Sequence, residues 1–339
     1  MTTEETKFQP KDYKSDQYVR WCPGCGDHAV LNCLHKAMAE VGVAPHNMAV
    51  ISGIGCSSRL PYYMNTYAMQ TIHGRAAAIS TGCKVTNPNL SVWQVSGDGD
   101  GLAIGGNHFI HAIRRNIDIN ILLLNNRIYG LTKGQYSPTS PRGFVSKSSP
   151  YGTVEDPFHP AELCFGARGR FFARCVATDG PGTGEVLKAA ANHKGTAVCE
   201  ILQHCVIFND GTYGSVYNKD GRAKNAIYLE HGKPMLFGEN KEFGLMQEGF
   251  GLKVVKLGEN GITEKDILVH DAHCMDNTLQ LKLALMKGPD FPVALGVIRD
   301  VEAPTYDDSV MEQIEEVSTK KKYHNFKELL MTNDIWEVK

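Results

Sequence analysis

Two short stretches decide how this chain folds. The first is Leu90-Ser91-Val92-Trp93-Gln94-Val95-Ser96-Gly97-Asp98-Gly99-Asp100, and the second is Ile119-Asn120-Ile121-Leu122-Leu123-Leu124-Asn125-Asn126. Each is an apolar run of strand length that ends in small polar residues, and residues 102–115 between them read as a helix. A strand, a crossover helix and a second strand make the unit that builds parallel sheets. Its two polar tips, Asp98 and Asn126, stand 28 positions apart at successive strand ends. Their oxygens can therefore converge on one ion.

The same alternation continues on both sides. Asp27 can cap a helix whose apolar positions Val30, Leu31, Leu34, Met38 and Val41 recur at helical spacing, with Gly42 as its stop. Residues 48–52 predict a buried strand running into a glycine-bearing turn at 53–58, and residues 76–84 predict a helix. Farther on, residues 185–193 predict a helix and residues 196–202 a strand that ends at His204-Cys205. The fold expected is α/β, a doubly wound, mostly parallel sheet. In such sheets ligands bind at the carboxyl ends of the strands, where the polar tips lie. Beyond about Asn218 the alternation weakens. Residues 228–256 are mixed, 262–287 read as helical, 291–298 as a strand, and the last forty residues are charged. The chain divides on this reading into a cofactor-binding domain, 1–217, and a C-terminal extension, 218–339, that contacts a partner.

The bulk properties narrow the function. With 339 residues, 42% hydrophobic and 21% charged, and a net charge of −2, the chain has no basic excess for nucleic acid. The apolar run 119–124 is too short to cross a bilayer. Residues 1–20 are polar and lack the apolar stretch of a secretion signal, so a cytoplasmic location is expected. Ten cysteines in a reducing compartment divide among packing residues, metal ligands and reactive thiols.

A cofactor diphosphate held through a divalent metal needs hard oxygen ligands, glycines that let the backbone approach, and free N–H groups. Gly97 to Asp100 with Asn125-Asn126 offers that set. Glycine and aspartate are also the default turn residues, and it is the second strand end that favours a site. Cys22 and Cys25 form a Cys-x-x-Cys, which suits zinc, an iron–sulfur cluster or a redox dithiol alike. Cys56 in the glycine-rich turn and Cys205 at a strand end lie where packing would not place them. Cys33, Cys83, Cys164, Cys175, Cys199 and Cys274 read as packing residues.

These stretches together resemble a known family. Trp21-Cys22-Pro23-Gly24-Cys25-Gly26, Gly53-Ile54-Gly55-Cys56-Ser57, His73-Gly74-Arg75 and Gly97 to Gly101 are similar to the beta subunits of 2-oxoacid:ferredoxin oxidoreductases. So are Asn126 to Gln135 and Ser137-Pro138-Thr139, so that the matching motifs span roughly residues 20–210. The resemblance implies thiamine diphosphate bound through Mg2+, with Asp98, Asn126 and the backbone carbonyl of Ile128 as metal ligands. It implies cofactor contacts from Ile54, Gly55, Cys56, Ser57, His73, Gly99, Asp100, Gly130 and Leu131. It also implies a 4Fe-4S cluster on Cys22, Cys25, Cys56 and Cys205, with soft thiolates suiting iron. Because Cys56 shares its turn with the cofactor contacts, the cluster and the thiamine would be neighbours.

The same resemblance implies oxidative decarboxylation of a 2-oxoacid, coenzyme A as acyl acceptor, ferredoxin as electron acceptor, and an alpha subunit that supplies the thiamine-activating glutamate. Pyruvate-type enzymes tend to carry Asn-Thr-Gly-Gly-Gln where this chain has Gly130-Leu131-Thr132-Lys133-Gly134-Gln135. Lys133 can meet a second carboxylate, which points to 2-oxoglutarate; as a solvated loop lysine or a coenzyme A contact it would say nothing of substrate. Pyruvate or a broad 2-oxoacid range is the alternative. A non-redox thiamine-dependent decarboxylase would keep Asp98 and Asn126 but have no use for the four cysteines.

Overall fold

A computed structural model describes residues 7–332, 334–336 and 338. Residues 1–6 of the polar N-terminal stretch lie outside it. The first two-thirds of the chain contribute β1 (Met48–Ser52), β2 (Tyr67–Gln70), β3 (Ser91–Gly97), β4 (Asn120–Asn125), β5 (Phe171–Val176) and β6 (Ala197–Leu202). Their helices are α1 (Asp27–Val41), α2 (Ala76–Thr86), α3 (Gly106–Arg115), α4 (Pro160–Gly166) and α5 (Gly180–Asn192). Later come α6 (Gly214–Tyr217), α7 (Lys219–Asn225), β7 (Ala226–Leu229), β8 (Leu236–Phe237), β9 (Phe243–Glu248) and β10 (Gly251–Lys256). The chain ends with α8 (Thr278–Leu285), β11 (Val293–Asp300), α9 (Tyr306–Thr319) and α10 (Phe326–Leu330).

The main sheet has eight strands in the order β2-β1-β3-β4-β6-β5-β11-β7. All its pairs are parallel except β11 with β5, which bears out the mostly parallel α/β expectation. Side chains alternate across the pleat. Ile121 and Leu123 join a core with Phe109, Ile113, Phe165 and Phe172, while Leu122 and Leu124 join one with Val30, Leu34, Met38 and Leu187. Both faces are covered by helices, so the central strands are apolar throughout.

Four strand ends matter for function. β1, β3, β4 and β6 are consecutive in the sheet, so the loops that follow them open side by side. This adjacency gathers residues 53–58, 98–100, 126–135 and 203–209.

Three expectations need correction. The helix expected over 262–287 is reduced to α8. Before it, Glu264–Asp266 form a single 3-10 turn; Met235 then donates to the Leu268 carbonyl, Leu268 to Leu245 and His270 to Lys233, so residues 268–270 run alongside residues 233–235 and touch β9 at Leu245. Pairing with a distant segment overrides a local helical pattern there. The helix expected over 102–115 begins at Gly106, after a π-helical turn over residues 100–104 closed by the Gly105 N–H on the Asp100 carbonyl, 3.1 Å. Cys274, expected to pack, is exposed in the irregular stretch before α8. The boundary at 217/218 falls between α6 and α7, yet β7 and β11 beyond it complete the main sheet. The small antiparallel sheet β10-β9-β8 lies outside that sheet, as do the helices of the extension. Among the described residues no helix is long and apolar enough to cross a membrane.

Candidate cofactor site at four strand ends

Asp98 ends β3 with its side chain buried. Its Oδ2 accepts from the Ser137 hydroxyl at 2.5 Å and from the Thr139 hydroxyl at 2.6 Å, leaving Oδ1 for an ion. Burial pushes the carboxyl above its ordinary pKa, and the two hydroxyls with nearby backbone N–H groups only partly oppose that shift. A buried carboxylate surrounded by neutral donors lacks a positive charge, and a divalent cation supplies one.

Behind Asp98 runs a chain of polar contacts. The Thr139 hydroxyl lies 2.9 Å from Asn125 Oδ1, Asn125 Nδ2 donates to Glu200 Oε1 at 2.8 Å, and Glu200 Oε2 takes Arg174 Nε at 2.7 Å. Asn125 is thus tied up behind the site, which leaves Asn126 as the amide facing the loop. Asn126 Oδ1 accepts from the Ile128 N–H at 3.1 Å, closing a tight turn. Arg127, inside that turn, has φ 56°.

Asp100 is also buried, but it bonds inward. Its Oδ1 accepts from the N–H of Ile54 at 3.0 Å, the N–H of Gly74 at 2.7 Å and His73 Nδ1 at 2.7 Å. Its Oδ2 takes the Ser96 hydroxyl at 2.8 Å. One carboxylate therefore locks the loops after β1, β2 and β3 together. Its place requires Gly53, where an added Cβ would fall 1.9 Å from the carboxylate. The implied cofactor contacts Ile54 and His73 are positioned by this hub, and Asp100 itself serves the site through the loops it ties. Gly99 is needed for a similar reason: Tyr129 closes over it, with its hydroxyl donating to the Gly99 carbonyl at 2.9 Å.

Two of the four implied sulfur ligands, Cys56 and Cys205, meet on the other side of the same loop. A methyl group placed on Gly130 would lie 3.4 Å from Cys205 Sγ and 3.6 Å from Cys56 Sγ, so both sulfurs face that glycine. Cys22 and Cys205 both bear electrostatically on Cys56, and Cys56 bears on Cys25. The indole N–H of Trp21 donates to the Cys56 carbonyl at 2.7 Å, which ties the Cys-x-x-Cys segment to the turn after β1. Burial pushes the Cys56 thiol up to about 11 and the Cys25 thiol higher still. Thiolates there need cationic iron or another metal to form. Among the described residues, no three His, Cys, Asp or Glu side chains are close enough to hold one metal ion. Four sulfurs around a single zinc would all lie ~2.3 Å from one point.

Of the remaining expected residues, Gly55 and Ser57 lie in the turn after β1, Ser57 buried. Leu131 is exposed in the loop after β4, and Lys133 is exposed at its tip with φ 83°. Sequence reasoning missed roles for Ser137, Thr139, Ser96, Trp21 and Asn209. The pair of hydroxyls flanking Pro138 was the one visible signal.

Residues 46–201 match the family model described as thiamine pyrophosphate enzyme, C-terminal TPP binding domain. The chain is 49% identical over 314 residues to 2-oxoglutarate oxidoreductase subunit KorB of Mycobacterium tuberculosis, covering 92% of this chain and 83% of the relative. It is 45% identical over 208 residues to subunit beta of 2-oxoacid:ferredoxin oxidoreductase 1 of Aeropyrum pernix, covering 61% of this chain and 65% of that one. Among solved structures it resembles the 2-oxoglutarate:ferredoxin oxidoreductase from Magnetococcus marinus with 2-oxoglutarate, coenzyme A and succinyl-CoA bound. The TM-score is 0.77 at 32% identity, over 97% of each chain.

Proposed function

Because this chain belongs to the beta subunits of the 2-oxoacid:ferredoxin oxidoreductases, we propose that with an alpha subunit it performs the coenzyme A-dependent oxidative decarboxylation of 2-oxoglutarate. Cys22, Cys25, Cys56 and Cys205 would hold a 4Fe-4S cluster, which would supply the one-electron path to ferredoxin. The observation that carries this reading is the loop after β4. It begins with the proposed metal ligands Asn126 and Ile128 and reaches, at Gly130, the sulfurs of Cys56 and Cys205. One short segment would therefore border both the thiamine pocket and the cluster pocket.

When bound, thiamine diphosphate supplies the nucleophilic carbon and electron sink that decarboxylation of a 2-oxoacid needs. The chain's own part is to bind and orient. Asp98, Asn126 and the Ile128 carbonyl would hold Mg2+, and the Asp100 hub, which fixes Ile54 and His73, would set the Ile54 to Ser57 turn and His73 for cofactor contact. The glutamate that activates the thiamine comes from the alpha subunit, so the isolated chain turns over negligibly. Lys133 offers its ammonium to the distal carboxylate of 2-oxoglutarate. Exposed apolar residues along α9, α10 and the segment after them, including Ile314, Val317, Phe326 and Trp336, give the C-terminal extension a surface for the partner. The complex works in the cytoplasm.

The test is to purify the chain with its alpha subunit without oxygen and to assay 2-oxoglutarate, pyruvate and branched 2-oxoacids with coenzyme A and ferredoxin. Brown protein with the broad visible absorbance of an iron–sulfur cluster, most active on 2-oxoglutarate, is the expected result. Colourless protein that still binds thiamine diphosphate would point to a decarboxylase without a redox step, and a preference for pyruvate would move the substrate.

A further inference from the structure

The segment after β6 grips the loop after β4 at three places. The Asn209 side-chain amide donates to the Asn126 carbonyl at 3.0 Å and to the Arg127 carbonyl at 3.3 Å. Both neighbours are carbonyl oxygens, so only the NH2 end of the amide fits there. Phe208 packs on Gly134, where an added Cβ would lie 2.9 Å from its ring. The Arg127 guanidinium lies over the Tyr213 ring, 4.3 Å from its centroid. The gripped loop needs holding. Arg127 adopts a left-handed conformation that is unfavourable for an L-residue, and its carbonyl takes the Ser140 hydroxyl, 2.7 Å, besides Asn209.

Asn209 is also fastened to the sulfur side. Its backbone N–H donates to the Cys205 carbonyl at 2.9 Å, and the two residues form an isolated antiparallel bridge. One residue thus joins, through its backbone, a cysteine facing Gly130 and, through its side chain, the two peptide groups next to Asn126 and Ile128. We propose that Asn209 is a positioning residue that couples the two cofactor pockets, so that filling the magnesium–thiamine pocket steadies the cluster and the reverse. Coupling of binding free energies is reciprocal, so either direction can be measured. The proposal rests on the reading that Asn126 serves Mg2+ and Cys205 serves the cluster.

The experiment uses the anaerobic complex with its alpha subunit and two readouts that need no turnover. One is the Mg2+ concentration that supports half-maximal thiamine diphosphate binding. The other is the rate at which air bleaches the cluster's visible absorbance, with and without saturating Mg2+ and thiamine diphosphate. Wild-type protein should bleach several-fold more slowly with the cofactor present. Asn209→Ala should lose that protection even at saturation and need about 10- to 100-fold more Mg2+. Asn209→Asp, equal in size but without N–H donors, should behave like the alanine variant; a loop staple acting by packing alone would leave it near wild type. Wild-type bleaching indifferent to the cofactor, or protection that survives both substitutions, would overturn the coupling. Even if neither variant folds, a wild-type complex whose bleaching is indifferent to the cofactor overturns the coupling, and Asn209→Gln, which keeps the NH2 donor on a longer side chain, should then show partial protection if Asn209 carries it. A complex with colour and thiamine binding but no protection sinks only this inference, whereas a colourless complex sinks the proposed function as well.

Discussion

The aspartate side and the cysteine side of the loop after β4 differ in how far the chain itself satisfies them. On the aspartate side both buried aspartates have partners: Asp100 accepts four hydrogen bonds and Asp98 Oδ2 accepts two. On the cysteine side Asp27 is fully buried with neither oxygen hydrogen-bonded, and Gln203 Oε1 beside it is likewise unpaired. Burial raises Asp27 to about 6, with Gln203 and Cys25 near enough to pull it back only in part. Buried polar groups are normally paired. The first pocket is held in shape by its own hydrogen bonds, while the second carries polar groups and protonated thiols whose cost the polypeptide does not offset. Preorganisation should therefore make damage graded on one side and all-or-none on the other.

The largest effect expected is at the sulfurs. Cys56→Ser should abolish the visible absorbance of the anaerobic complex and reduction of ferredoxin with it, because a cluster held by three thiolates is readily lost. A merely graded loss, with the cluster retained, would break the contrast between the two sides. A smaller effect is expected at Thr139. Thr139→Val keeps the shape but removes the hydroxyl that steadies Asp98, and it should weaken Mg2+ binding by about 10- to 100-fold, read from Mg2+ titrations of thiamine diphosphate binding. Thr139→Ser should stay close to wild type, and equal losses in both variants would show that packing rather than the hydroxyl matters. The smallest effect belongs to Lys133, which is exposed on a turn. Lys133→Ala should raise KM for 2-oxoglutarate by about fivefold, roughly 1 kcal/mol for an exposed charge pair, and leave pyruvate unchanged. Equal shifts for both substrates would remove its role in specificity.

Local pattern carried much of this. The strands ending at Gly97 and Asn125 lie within a residue or so of where their apolar runs place them, because a strand buried on both faces must be apolar along its whole length. Helix α1 follows its helical spacing and stops at Gly42, which sits at φ 79°. The pattern failed over residues 262–277, where a 3-10 turn at Glu264–Asp266 leads into a short stretch bridged to residues 233–235. It was silent on Asp100, whose neighbour Asp98 has the same chemistry and the same small flanking residues. Which of the two turns inward depends on donors from Ile54, His73 and Gly74, and those arrive only when β1 and β2 pair. The hydroxyls of Ser137 and Thr139 were visible as a pair, but their partner was not, because they lie some forty residues from the carboxylate they hold.

By itself, then, the order of residues determined the alternating strands and helices, the polar tips at the strand ends, and the candidate ligands for a metal and for sulfur chemistry, since each of these is a short-range property of neighbouring side chains. Tertiary structure alone decided the rest. Placing β1, β3, β4 and β6 side by side converts four separate loops into one site, selects the aspartate that keeps an oxygen free, and fastens Asn209 between two pockets. Those outcomes depend on hydrogen bonds between residues far apart in the chain, and such distances are set by strand order, which no local spacing encodes.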